Sequence, residues 1–222
     1  MYTFRFDVVL RNLPIFVEGL GLTLQITAMS MVGAMAVGLV AALLRLARIP
    51  GVSQAVRAYV DFFRCTPVLV QLVWIYYALP LVFGIRMSAV ASAVTALSLN
   101  MGAFLGEIFR AGIQSIDPGQ REAAFVLGMT PAQTLRRIVL PQAVTRMLPP
   151  IGSSMIVLLK ESSLASFIAV AELTYQGHVL QAQTFRPIEI LTIVAVIYFV
   201  LTFPLSLLVQ LLERRAGVGV HV

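Results

Sequence analysis

The stretch Gln120–Pro141, QREAAFVLGMTPAQTLRRIVLP, differs from the chain on either side of it. It carries Arg121, Arg136, Arg137 and Glu122, whereas its flanks are apolar enough for lipid to be their solvent. Asp117-Pro118-Gly119-Gln120 has the form of a helix start: Asp caps, Pro fits the first helical position, and Gln three residues on closes a capping box. Thr130-Pro131-Ala132-Gln133 repeats that form. Gly128 lies between the two, where a left-handed C-terminal residue is least costly as glycine. Pro141 is expected to interrupt the second helix. The prediction is two short helices at an angle, Pro118 to about Leu127 and Pro131 to about Leu140. Small Ala123 and Ala124 beside acidic Glu122, with apolar Ile138, Val139 and Leu140 at the end, make a docking knob. The stretch has no nucleophile–base pair and no metal-ligand cluster.

The flanks decide the fold class. Of 222 residues 59% are hydrophobic and only 12% charged, and the mean hydropathy is +0.92. Soluble domains carry about 25% charged residues, and one core of this length could not hide so much apolar surface. Five runs approach the roughly 20 apolar residues that cross a bilayer: Gly19–Leu44, Cys65–Ile85, Met87–Gly106, Met147–Ala171 (which contains Lys160 and Glu161) and Ile190–Leu212. Backbone in lipid must satisfy its own hydrogen bonds, so the expected class is an all-α membrane protein with about five transmembrane helices. Residues 1–222 read as one membrane domain, with the insert at about 117–141.

Eleven arginines fall in the connections that share a side with the insert: Arg45, Arg48, Arg57, Arg64, Arg110, Arg121, Arg136, Arg137, Arg146, Arg214 and Arg215. Four fall on the other: Arg5, Arg11, Arg86 and Arg186. Positive loops stay cytoplasmic, which predicts the N-terminus out and the C-terminus and insert in. The net charge of +6 is thus a topology signal, not a nucleic-acid footprint; an insert tied to the bilayer at both ends with no recognition helix is no DNA reader. The opening MYTFRFDVVLRNLP lacks the form of a cleaved signal peptide, so the first apolar run is expected to remain. Cys65 stands alone and excludes an internal disulfide.

Polar residues at membrane depth are costly and tend to face a cavity or a partner. Glu161 leads them, beside Ser162 and Ser163; pairing with Lys160 is the structural alternative. Asn100 lies mid-span and either lines a cavity or bonds a neighbouring helix. Glu107 stands three residues before Arg110 and can pair with it. Thr66-Pro67 can kink or start the second span, and Thr66 and Leu69, one turn apart, are candidate lining residues. The candidate substrate-binding set is Glu161, Ser163, Thr66, Leu69 and Asn100; Gln25, Gln71, Tyr76 and Tyr77 are weaker members. Lys160, the only lysine, lies in no phosphate-binding loop, so no ATP, other cofactor or metal is expected on this chain.

Glu122-Ala123-Ala124, three residues, Gly128, nine residues, Ile138-x-Leu140-Pro141 reproduces the EAA motif at every fixed position and both gaps. The chain thus resembles the membrane subunits of bacterial ABC importers. VEGLGLTLQIT (Val17–Thr27), FFRCTPVLVQL (Phe62–Leu72), GEIFRAGIQSID (Gly106–Asp117) and LLKESSL (Leu158–Leu164) resemble the polar amino acid branch, of histidine, glutamine and arginine type. Cys65 departs from the glycine usual after Phe-Arg there.

The resemblance implies a type I importer (MetI-like) fold, with Glu122, Ala123, Ala124, Gly128, Ile138, Leu140 and Pro141 coupling to an ATPase. It implies a multi-pass subunit of the bacterial inner membrane, without bond chemistry of its own. The implied partners are a cytoplasmic ABC ATPase dimer that binds the ATP, a second permease subunit, identical or sister, and a periplasmic or extracellular amino-acid-binding protein. The expected cargo is a polar amino acid, basic ones included, since the Glu161 carboxylate suits an ammonium or a cationic side chain. The alternatives are an ion-coupled secondary transporter, which an inverted repeat would support, and a membrane scaffold that recruits a cytoplasmic protein.

Overall fold

The computed structural model describes residues 4–215; Met1–Thr3 and the tail from Ala216 lie outside them. Among the described residues all regular structure is helical. The order is α1 (Asp7–Arg11), α2 (Leu13–Leu46), α3 (Val52–Cys65), α4 (Val68–Phe83), α5 (Ala89–Gln114), α6 (Pro118–Val126), α7 (Pro131–Ile168), α8 (Leu173–Thr184) and α9 (Pro187–Arg215). Four helices, α2, α5, α7 and α9, are long and apolar enough to cross a bilayer. α3 and α4 together pass the same test but are bent by 108° at a short break, the geometry of a broken span or a re-entrant loop.

The expected span from Cys65 to Ile85 corresponds to α4 alone, Val68–Phe83, and starts at the expected Thr66-Pro67 position. Cys65 ends α3, and the break falls at Thr66-Pro67. A residue before proline is pushed out of the helical region, and Thr66 is extended at φ −113°, ψ 145°. The other spans differ at their ends. α2 begins at Leu13, with Pro14 in its first turn, and α5 runs past Gly106 to Gln114.

The insert's second helix does not stop at Pro141 but continues as α7 into the fourth span, which corrects the expected interruption. A π-turn over Leu135–Val139 precedes Pro141. Proline donates no N–H and crowds the carbonyl four residues back, and a one-residue widening of the helix accommodates both. The same arrangement recurs in α4, where a π-turn over Trp74–Ala78 precedes Pro80.

α2 and α5 run in parallel and are the most closely packed pair. A Cβ on Gly33 would lie 2.4 Å from Ser98 Oγ, and one on Gly38 would lie 2.9 Å from both Gly106 N and Leu105 Cβ. Lipid supplies little hydrophobic drive between helices, so close packing of small residues holds such pairs. Ala34, Gly38 and Ala41 on α2 face Gly102 and Gly106 on α5, the latter a GxxxG pair. Ser98 Oγ also donates to Ser30 O at 3.2 Å. At the insert end of this seam, Arg45 of α2 pairs with Glu107, which Arg110 holds from its other side at 2.7 Å.

The opposite end is tied by a residue the sequence reading passed over. Glu172 is fully buried and caps α8, accepting from Thr174 N at 2.9 Å and Tyr175 N at 2.8 Å. Thr23 of α2 and Tyr198 of α9 also donate to it, at 3.4 and 3.2 Å. Burial pushes the Glu172 carboxyl above its ordinary range, and these donors oppose the shift. α9 starts against α8, with Val194 on Gly177, and later meets α7, with Val209 on Gly152. It therefore returns toward the insert end.

Candidate functional site

The insert is built by local chemistry. Thr130 and Gln133 form the expected capping box: Gln133 N donates to Thr130 Oγ1 at 3.3 Å, and Thr130 N to Gln133 Oε1 at 2.9 Å. The box expected at Asp117 and Gln120 is replaced by a simpler cap, with Gly119 N donating to Asp117 Oδ1 at 2.7 Å. Gly128 adopts φ +74°, and α6 closes with Gly128 N on Phe125 O at 2.9 Å and Met129 N on Ala124 O at 3.0 Å. This is the paired C-terminal closure that glycine favours.

Two arginines brace the root of the insert. Arg121 donates to Ile113 O at 3.2 Å, and Arg146, from α7, donates to Ser115 O at 2.5 Å. Both cations cover carbonyls at the negative end of α5. Ala124 is buried, and Val139 is buried in the main core with Ile116, Ala143 and Met147. Glu122, Ala123, Gly128, Leu140 and Pro141 lie on the surface, and Ile138 is half-buried.

The tip of α6 holds what the sequence reading missed. Phe125, Val126 and Leu127 are 80, 83 and 78% exposed. Large apolar groups bared together mark a contact with a protein or a membrane. The signal was present as three apolar residues between Ala124 and Gly128 in an otherwise polar stretch.

A second cluster sits at the elbow between α3 and α4. Asn100 is 4% exposed, and its Nδ2 donates to Phe63 O and to Gln71 Oε1, both at 3.0 Å. Gln71 Nε2 donates to Thr66 Oγ1 at 2.7 Å and to Thr66 O at 3.1 Å. Thr66 Oγ1 in turn donates to Phe62 O at 2.8 Å. Asn100 thus bonds a neighbouring helix, satisfying the Phe63 carbonyl that Pro67, four residues on and without an N–H, leaves open. Leu69 is half-buried one turn beyond Thr66.

Glu161 ends the regular α-helical part of α7, and the 3₁₀ turn Ser162–Ile168 follows and packs against α4 and α5. Glu161 Oε2 is buried without a hydrogen-bond partner, whereas Ser163 Oγ donates to Lys160 O at 2.7 Å. The structure thus joins Thr66 to Asn100 through Gln71 and sets Glu161 and Ser163 on a separate element that packs against α4.

Comparison with known proteins follows the same lines. Residues 34–218 match the family described as binding-protein-dependent transport system inner membrane component. The glutamine transport system permease protein GlnP of Escherichia coli K12 is 37% identical over 213 residues, covering 96% of this chain and 97% of that one. The probable amino-acid permease protein YxeN of Bacillus subtilis is 40% identical over 216 residues, covering 96% of each. A chain from the crystal structure of an amino acid ABC transporter with histidines superposes with a TM-score of 0.90 at 41% identity, covering 96% of this chain and 100% of that one. The inward-facing MetNI methionine ABC transporter, at 21% identity and a TM-score of 0.71, shares the fold. The chain belongs to the family of binding-protein-dependent transport system inner membrane components.

Proposed function

We propose that this chain is the membrane-spanning permease subunit of an ATP-driven importer that carries a polar amino acid, basic ones included, across the inner membrane. The observation that carries it is the insert: two capped helices, the first ending in an exposed apolar tip and the second continuous with a candidate span. A push on such a tip moves α7 as a rod instead of being absorbed by a loop.

In this reading the insert faces the cytoplasm, in keeping with the arginine count, and docks on one subunit of an ATPase dimer that binds the ATP. Glu122, Ala123, Ala124, Gly128, Ile138, Leu140 and Pro141 form or support that contact, with Phe125–Leu127 as its apolar centre. A second permease subunit, a copy or a sister, completes the pore, and an amino-acid-binding protein docks on the opposite face. Glu161 and Ser163 meet the cargo's ammonium or cationic group, Thr66 and Leu69 line its approach, and Asn100 holds the elbow that positions them. The unpartnered Glu161 oxygen supports this assignment, because a buried acceptor without a donor is costly unless a ligand supplies one.

The test uses the assembled transporter in vesicles with its binding protein. Amino acids of the polar class are expected to stimulate ATP hydrolysis and to accumulate inside. Accumulation that survives removal of ATP and collapses with the proton gradient would instead make the chain an ion-coupled carrier.

A further inference from the structure

α3 carries charge where a lipid-facing helix could not. Gln54, Arg57, Asp61 and Arg64 follow one another at three, four and three residues and so share one face. The other side of the helix is apolar: Ala55, Val56 and Tyr59 line a groove of about 500 Å³ against Val37, Val40 and Leu44 of α2.

α3 is not a helix resting on the membrane surface. Tyr59 Oη donates to Leu99 O at 2.6 Å. Leu99 lies eight residues along α5 from Glu107 of the insert-end cluster, about 12 Å at the helical rise per residue. Asp61 and Arg64 come after Tyr59, next to the elbow. Arg57 and Asp61, paired at 3.5 Å, are nonetheless 72 and 60% exposed, and Arg64 reaches over the Phe104 ring at 5.3 Å. A charged group at such depth faces water or protein, not hydrocarbon.

We infer that the Gln54–Arg57–Asp61–Arg64 face of α3 lines the water-filled half of the cargo path that opens on the insert side. The inference rests on the importer reading above and assigns a surface within it. The occupant is water together with a zwitterionic amino acid in transit, and the exposed Arg57–Asp61 pair offers a cation and an anion to the cargo's two charged ends.

The experiment starts from Cys65→Ser, which leaves no other thiol in this chain, and adds Arg57→Cys, Asp61→Cys or Gln54→Cys; the last leaves the ion pair intact. Val40→Cys, in the groove, is the comparison. The assembled transporter is treated from the insert side with a charged, membrane-impermeant maleimide, with and without trapping by ATP and vanadate. Thiols react as thiolates in water, so face positions should label about tenfold faster than Val40→Cys, and trapping should slow them by a similar factor. Labelling that trapping leaves unchanged would place the face in bulk water. No labelling, or labelling only by a lipid-soluble maleimide, would place it against protein or lipid. Any of these overturns the inference. ATP-driven uptake by the Cys65→Ser transporter is measured alongside; its absence would count against the importer reading and not against the face.

Discussion

Gly128 shows how one residue's backbone serves coupling. Its φ of +74° lies in the left-handed region, and a Cβ built there meets nothing within 4 Å, so Gly128→Ala adds strain without a clash. The expected cost is about 1 kcal/mol, read as a lower unfolding temperature of the purified subunit. The change also slackens the join between α6 and α7, so uptake per ATP hydrolysed should fall. Glu161 is the matching case for cargo. Glu161→Ala should raise the concentration of amino acid needed for half-maximal uptake roughly tenfold or more, the effect expected when a charge-assisted hydrogen bond is lost. Unchanged affinity for every amino acid tested would remove Glu161 from the site.

At the scale of elements, the α2–α5 seam and the α3–α4 elbow carry the architecture. Gly38→Leu drives a branched side chain into the Gly106 backbone, and should destabilise the subunit by about 3 kcal/mol or prevent its accumulation in the membrane. Asn100→Ala leaves Gln71 Oε1 without its buried donor and should cost about 1–3 kcal/mol. Asn100→Ala with Gln71→Ala should cost less than the sum of the two single changes, a coupling that thermal unfolding of all three variants measures.

These elements also show what the sequence could disclose. The crossings, the two insert helices, the Gly128 turn, the Thr66-Pro67 break and the Glu107–Arg110 pair follow from neighbours within a few residues. The GxxxG pair Gly102–Gly106 was equally visible, but its role appears only once Gly38 is laid against it. The tie that Glu172 makes between elements was illegible because Thr23, a donor to it, lies 149 residues away. Pro141 misled for a related reason. Local rules end a helix there, whereas the π-turn before it lets α7 continue into the packed span.

In the whole molecule, the Glu172 knot ties one end of the bundle and the Arg45–Glu107–Arg110 cluster ties the other. The insert projects beyond the second of these ends, braced by Arg121 and Arg146. The central claim is that force enters through its exposed tip. Substituting Phe125→Asp, at a side chain 80% exposed, should leave the subunit's own stability unchanged while removing an apolar contact with the ATPase. The direct measurement is ATPase captured by the purified variant, together with ATP-driven uptake in vesicles. The account predicts a loss of about 2 kcal/mol of binding, more than tenfold in affinity, and uptake reduced in step. Full capture of the ATPase and undiminished uptake by Phe125→Asp would contradict it.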